Sequence, residues 1–354
     1  MRKEKGWFSL EVKQLRTQED VKKLDPGKRK FFSAKHEEIL SGATTDIYFI
    51  RTRQALVGLG LDKTHVAAEI FPRKSGIFCG LDEVLNLLED QEVEVWALPE
   101  GSKFEEKEIV MRIVGPYDNF GIYETAILGI LANSSGWATA AFEVKEAAGD
   151  KPVYCFGARH VHPAVAPVME RSAIIGGADG ASCILGAKIA GMEPAGTVPH
   201  AFFLIVGDTV KGAMAYDQLM PEEAPRLILV DTFKDEAEEA LRVAEALQDR
   251  LYGIRLDTPS ERGGVTPDLV KEIRHRLEVA GFSHVKIFVS GGLNPEKIRI
   301  LKEAGADAFG VGSYISGAQP IDMTMDIKEV EGKPLTKRGR IPGITNNPRL
   351  KRML

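Results

Sequence analysis

The sequence is poor in cysteine: Cys79, Cys155 and Cys183 are its three, and none stands in a CxxC spacing. That excludes a disulfide framework and a four-cysteine zinc site. Cys155 lies in the apolar run VYCF and reads as packing rather than as a reactive thiol. A basic surplus is missing as well, since 46 Lys and Arg stand against 51 Asp and Glu for a formal net charge of −5. A duplex-binding surface draws its affinity from neutralised phosphates, so nucleic acid is not an expected partner. Long apolar runs are also lacking: nowhere do about 18 uncharged apolar residues follow one another. The opening MRKEKGWFSLEVK carries charges without the apolar core of a signal peptide. A cytoplasmic protein with no membrane partner is expected. Internal repeats and low-complexity tracts are absent, so domain boundaries must come from changes in pattern.

What is present is length and glycine. The 354 residues exceed one ordinary domain, and 35 glycines exceed average usage, so many tight turns are expected. Residues 1–115 mix a capped helix with short strands, VEVWAL (93–98) and EIVMRIV (108–114), around the turn PEGSKF, which suggests a small N-terminal α+β domain. Over 116–318, helices and strands alternate in the manner of a parallel sheet whose strands each need a crossover. The short apolar runs VYCF (153–156), GTV (196–198), RLILVD (226–231), LYGIRLD (251–257), VKIFVS (285–290) and AFGVG (308–312) read as its buried strands. Residues 319–354 form a short C-terminal extension.

Two helices are legible in detail. In KDEAEEALRVAEALQDR the first turn is acidic and the end basic, with Ala237, Leu241, Ala244 and Leu247 at helical spacing. In NPEKIRILKEAG, Asn294 suits the N-cap, Pro295 the first helical position and Gly305 the residue past the end.

The strands share a further property: nearly all end in polar or glycine residues. These are Arg159, His200, Asp231, Arg255 with Asp257, Ser290 with Gly291 and Gly292, and Gly310 with Gly312. In a barrel of alternating strands and helices that rim carries the active site, and a phosphate commonly sits on the loops after the last two strands. VSGGLNPEK puts Gly291 and Gly292 between a strand and a capped helix, where backbone amides and the helix N-terminus can hold phosphate oxygens. FGVGS repeats the arrangement one unit later. Either glycine pair alone equally fits an ordinary turn; two in succession point to phosphate.

Arg255 and Asp257 alternate with Ile254 and Leu256, so both point to one side of their strand. They are either a mutual structural ion pair or a guanidinium for a substrate carboxylate and a carboxylate for sugar hydroxyls or Mg²⁺. Asp231 has a plain alternative as a helix cap, and His200 as a helix-end partner. His160 and His162 lack the further ligands a metal needs and are expected to orient Arg159 instead. From the residues alone the chain is an enzyme or binder for a phosphorylated small molecule on a barrel.

TTDIYF, FGARHVHP, GGADGAS, GTVPHAF, IRLDT, VSGGLN and FGVGS, in this order from Thr44 to Ser313, resemble the nicotinate phosphoribosyltransferase family of type II pyridine phosphoribosyltransferases. The resemblance implies an irregular TIM-like α/β barrel, preceded by a small α+β domain and followed by a short extension. It implies active sites between the subunits of a homodimer or larger oligomer, acting on nicotinate and phosphoribosyl pyrophosphate. By motif, Phe156 and Tyr48 would sandwich the pyridine ring, Tyr48 coming from the neighbouring subunit. Arg159 and Arg255 would hold the carboxylate or pyrophosphate. Asp231 and Asp257 would meet ribose hydroxyls directly or through Mg²⁺, and Gly291, Gly292, Gly310, Gly312 and Ser313 the 5-phosphate. Lys337, Arg338 and Arg340, in TKRGR, would cover the pyrophosphate, unless they are a solvated basic tail. His200 matches the histidine that relatives phosphorylate with ATP, which makes ATP a coupling co-substrate.

Asp179 in GGADGAS stands where related nicotinamide-using enzymes carry an aspartate, and its charge would repel an adjacent nicotinate carboxylate. Some relatives end in a cysteine-rich zinc module, for which this chain lacks the cysteines, so zinc is not expected. The rival activities are quinolinate and nicotinamide phosphoribosyl transfer, and the rival class is a non-catalytic sensor of phosphorylated ribose.

Overall fold

The computed structural model describes residues 12–354; residues 1–11, with most of the opening charged segment, lie outside the described residues. Two compact units divide the chain, Met1–Gly136 with Pro320–Leu354, and Trp137–Gln319. The boundary falls inside the helix Glu124–Ala148, about twenty residues later than the change of texture near 116. Residues 320–354 are part of the first unit rather than an appendage.

In the first unit, β1 (His65–Pro72), β3 (Glu94–Ala97) and β5 (Met111–Pro116) join an antiparallel sheet; β2 (Gly76–Ile77) and β4 (Lys103–Phe104) pair apart from it. β5 alternates inward and outward residues, sending Met111 and Ile113 into a core with Ile70, Leu88 and Phe104. β1 is buried from its second residue onward, so Glu69 within it must be answered. Its Oε1 accepts from Arg112 Nε at 2.9 Å and Nη2 at 2.8 Å, directly across the β1–β5 ladder, and from the Thr345 amide at 3.0 Å. A wholly buried carboxylate without such donors would be strongly destabilising.

The second unit holds six parallel strands: β6 (Val153–Cys155), β7 (Gly180–Ala181), β8 (Leu227–Leu229), β9 (Gly253–Leu256), β10 (Lys286–Ser290) and β11 (Ala308–Val311). Their order is β7-β6-β11-β10-β9-β8. This is an irregular TIM-like α/β barrel, its ladder running from β7 to β8 without joining its ends. Segment 196–198, expected as a strand, forms none, and the two-residue β7 stands in the ladder instead. The helix Glu236–Leu247 is capped by Asp235, whose side chain accepts from the Ala237 and Glu238 amides. The helix Pro295–Glu303 is capped by Asn294, and Gly305 beyond it has φ +105°.

Alternation in these strands separates two faces. Ile254, Leu256, Ile287, Val289, Phe309, Val311, Val153 and Cys155 are fully buried, each worth about 1.5–3 kcal/mol when the side chain is large. The other face carries Arg255, Phe288, Ser290, Gly310 and Tyr154, which the register sets side by side: Arg255 opposite Phe288, and Ser290 opposite Gly310, itself opposite Tyr154. Burial pushes the Cys155 thiol far up, as expected of a packing cysteine.

The chain returns to the first unit with β12 (Met323–Val330), β13 (Lys333–Pro334) and β14 (Lys351–Arg352). β12 lies antiparallel to β1 and β14 to β3, giving the order β13-β12-β1-β5-β3-β14. Among the described residues no helix is long and apolar enough to cross a membrane.

Glu124 gives this unit a pH dependence. Burial, with the Asp326 charge adding to it, pushes its carboxyl from 4.5 up to about 7. Between those values the folded chain keeps a proton that the unfolded chain has released, so this stabilisation is full below 4.5 and lost as pH rises through 7. Urea unfolding is expected to show wild type losing about 1–2 kcal/mol more than Glu124→Gln between pH 5 and 8, after allowance for solvent screening. Parallel curves for the two proteins would assign the dependence to another group.

Candidate active site

Arg255 leaves the middle of β9 only 16% exposed, with one donor on each of its guanidinium nitrogens engaged. Nε donates to Ser290 Oγ at 2.8 Å, Nη1 to Thr197 Oγ1 at 2.6 Å, and Nη2 to Asp257 Oδ2 at 3.2 Å. The guanidinium carbon lies 5.3 Å from the centre of the Phe156 ring, close enough for a cation–π contact. Burial lowers the Arg255 pKa, opposed by the charges of Asp257 and Asp231, while nearby Arg159 pushes it further down. Arg255 and Asp257 do pair, through one contact, on the face that carries the rim.

Phe156 stacks on Phe288, ring centres 5.9 Å apart and planes 13° apart. The ring needs Gly310 beneath it. A Cβ at Gly310 would stand 2.5 Å from the Phe156 ring and 3.0 Å from Phe288. Gly310, expected as part of a phosphate cradle, thus has a packing duty that its place in FGVGS did not disclose. Gly312 is also crowded, since a Cβ there would meet His160 Cε1 at 2.8 Å and the Phe156 carbonyl at 3.0 Å. Ser313 begins the turn of helix that follows.

Gly291 and Gly292 have φ of +94° and +59°, the left-handed region that glycine tolerates. They connect β10 to the helix capped by Asn294, as the sequence suggested. The Lys297 ammonium donates to the Gly292 carbonyl at 3.1 Å, adding a positive charge to this turn.

His200 opens the helix His200–Val206, and its Nε2 is 3.1 Å from Asp231 Oδ2. The Asp231 side chain is 1% exposed, and its Oδ1 is buried without a hydrogen-bond partner. Burial raises its pKa; the bond and charge of His200 pull it back, and Asp257 adds to the rise. Asp231 is therefore a partner for His200 rather than a helix cap; the cap of the following helix is Asp235.

Arg159 sits in the turn Ala158–His160, its Nε donating to His160 Nε2 at 3.4 Å. With Nε2 accepting, His160 Nδ1 carries the proton and donates to Ser316 Oγ at 3.1 Å, which donates to the Gly312 carbonyl. His160 thus orients Arg159 as expected, whereas His162 Nδ1 accepts from the Ala164 amide in its own turn.

One expected group lies at the other end of the strands. Asp179 is at the N-terminal end of the strands: its carboxylate accepts from the Val153 amide at 2.8 Å, where β6 begins, and from Lys145 Nζ at 2.8 Å. Phe156 follows the other end of β6, so Asp179 braces the far side of the sheet. Of TKRGR, which belongs to the first unit, Lys337 and Arg340 form ion pairs with Asp326, at 3.6 and 2.6 Å, and Arg340 covers the Phe71 ring; Arg338 is exposed. Tyr48 is also in the first unit, 54% exposed on the helix Ile47–Leu59.

Reading the sequence missed Thr197 and Glu170. Thr197 lies in the segment expected as a strand, and what it contributes is an acceptor for Arg255. Glu170 is wholly buried on the helix Ala166–Ile175 with its carboxylate accepting from the Ala158 amide, Ser182 Oγ and the Cys183 amide. Burial raises its pKa and those three donors lower it. It ties the Arg159 turn to the loop after β7, and a lone acid in the apolar run APVMERSAII was its signal.

The comparisons with known proteins agree on this architecture. Residues 46–135 match the N-terminal domain of quinolinate phosphoribosyl transferase, and residues 137–326 its C-terminal domain. The chain belongs to that family. Among curated relatives, a nicotinate phosphoribosyltransferase of Mycobacterium tuberculosis is 32% identical over 254 residues, covering 69% of this chain and 53% of the relative. The chain thus spans about half the length of such curated relatives. A crystal structure of nicotinate-nucleotide pyrophosphorylase from Pyrococcus furiosus superposes with a TM-score of 0.86 and 48% identity over 90% of this chain and 82% of that one. Human nicotinic acid phosphoribosyltransferase shares the fold, with a TM-score of 0.70 at 20% identity over 85% of this chain and 77% of the other.

The Phe156–Gly310 contact is open to a direct test. Gly310→Ala is expected to destabilise the second unit by about 1–3 kcal/mol through overpacking and to weaken ligand binding. Adding Phe156→Leu should recover much of the stability in thermal unfolding. A Gly310→Ala protein as stable as wild type would mean that the ring is free to move aside.

Proposed function

We propose that the protein is a phosphoribosyltransferase of NAD biosynthesis that joins nicotinate to the ribose of phosphoribosyl pyrophosphate and releases pyrophosphate. The observation that carries this reading is Arg255, a permanent cation fixed beside an aromatic ring at the C-terminal rim of a parallel sheet. A flat anionic heterocycle needs that combination: ring against ring, and a fork of N–H donors for its carboxylate. The relatives named for nicotinate support it. The family's quinolinate domains favour the second reading, quinolinate, whose two carboxylates call for additional cations beside Arg255 and Arg159.

In the reaction the pyridine nitrogen lone pair forms a bond to the anomeric carbon as the bond from that carbon to pyrophosphate breaks. The electron pair of the broken bond leaves with pyrophosphate. The protein aligns the two reactants and stabilises developing charge, with no protein nucleophile required. Asp257, 21% exposed, is open to ribose hydroxyls. The Gly291–Gly292 amides and the helix behind them are suited to the 5-phosphate.

Among the described residues no three His, Cys, Asp or Glu side chains converge as a metal cage. Asp257 alone of the rim carboxylates is open, which fits a Mg²⁺ carried in on phosphate oxygens with most of its waters. Bound there, the ion would neutralise the leaving pyrophosphate. His200, backed by Asp231, is the proposed acceptor of a phosphoryl group from ATP. Tyr48 is proposed to close a second subunit's site in a homodimer or larger homo-oligomer.

The deciding experiment incubates the protein with Mg²⁺, phosphoribosyl pyrophosphate and nicotinate, nicotinamide or quinolinate, with and without ATP, and separates the mononucleotides by chromatography. Product from nicotinate is expected; product from quinolinate with release of carbon dioxide would select the second reading. Arg255→Ala is expected to raise the KM for nicotinate about tenfold or more and that for nicotinamide far less, while an equal loss would take Arg255 off the carboxylate. His200→Ala should abolish stimulation by ATP and leave binding of phosphoribosyl pyrophosphate, measured by calorimetry, close to wild type. Undiminished stimulation would remove His200 from that role.

A further inference from the structure

Ser290 is the last residue of β10, 2% exposed, and its hydroxyl lies between Arg255 of β9 and Asp257, the residue that follows β9. Arg255 Nε is 2.8 Å away on one side and Asp257 Oδ1 2.8 Å away on the other, with the Leu256 carbonyl at 3.4 Å. A guanidinium only donates, and an ionised carboxylate only accepts. Ser290 Oγ therefore accepts from Arg255 and turns its single proton toward Asp257. Of the common small side chains, only a hydroxyl does both at one atom.

This arrangement has a geometric result. Arg255 and Asp257 are two apart on one strand face and opposite in charge, the ingredients of a closed two-point fork. They make one contact instead, Nη2 to Oδ2 at 3.2 Å, because the facing Nε and Oδ1 are both engaged by the hydroxyl. We propose that Ser290 is a positioning residue that holds this pair open. It keeps the guanidinium beside Phe156 with its remaining N–H groups free for substrate, and keeps Asp257 from being wholly consumed by Arg255. The proposal rests on the phosphoribosyl-transfer reading and adds a residue to it that touches neither reactant.

Ser290→Ala removes the wedge and lets the fork close. The expected result is a fall of about tenfold or more in kcat/KM for nicotinate, with a smaller fall for nicotinamide, which has no carboxylate to present to Arg255. The ratio between the two pyridines is the informative readout, because general damage to the fold would lower both alike. Ser290→Thr retains the hydroxyl and is expected to keep the wild-type ratio even if its extra methyl lowers Tm. In an Asp257→Asn background, Ser290→Ala should cost less than threefold, since no fork remains to close.

Wild-type turnover is measured first. Its absence with every pyridine overturns the functional reading and this proposal together. Wild-type turnover with an unchanged nicotinate-to-nicotinamide ratio in Ser290→Ala, or with equal losses in the two backgrounds, overturns the positioning role alone.

Discussion

A permanent cation on the inner face of a parallel sheet must be answered on every side, and around Arg255 the second unit shows what that requires. Its donors go to Ser290, Thr197 and Asp257, and its face lies against Phe156. Each answer enlists another element: β10 supplies the hydroxyl, the segment after β7 the threonine, and the residue following β6 the ring. Phe156 in turn depends on Gly310 in β11, which has no side chain to displace it. The site is thus a chain of steric and electrostatic dependences across four strands. A guanidinium held this way loses little freedom when a ligand arrives, which is the condition for tight and selective recognition of an anion.

A second constraint runs beside it. Three buried carboxylates are met by donors: Glu69 by Arg112 and an amide, Glu170 by two amides and a hydroxyl, Asp231 by His200. Glu170 is the instructive case, because no cation stands among its hydrogen-bond donors. Backbone and hydroxyl dipoles of two neighbouring rim loops answer its carboxyl, so the loops are fastened at the rim without adding a positive charge there.

Much of this was legible in the sequence, for identifiable reasons. Buried parallel strands are short apolar runs, and the residue where each run ends is by construction at the rim, so Arg159, Asp231, Asp257, Gly291 and Gly292 were readable by position. Alternation told that Arg255 and Asp257 share a face. What alternation cannot tell is the direction of a residue at the beginning of a strand: Asp179 lies beside glycines like a rim residue, yet it precedes β7 and braces the opposite end. Thr197 was hidden because GTV, with two β-branched residues in succession, resembles a strand whether or not a ladder receives it. Gly310 was visible as a glycine but not as the floor beneath a ring, since that contact joins residues far apart in the chain. Lys337 and Arg340 looked like free cations because Asp326, their partner, lies in a strand that composition alone did not reveal.

The first unit's sheet has a consequence for the order in which the protein can assemble. β1 is flanked by β5 on one side and by β12 on the other, with Val66 opposite Val330. Its second ladder therefore cannot close until residues 323–330 have been synthesised, whereas the second unit is continuous in sequence and has all its strands before β12 exists. On the ribosome, β1 must wait with an open, apolar edge while the barrel is made, a state that invites pairing with the wrong chain. Loss of residues 323–330 would leave that edge open permanently, so such a chain is an aggregation hazard even though every barrel residue identified above is intact.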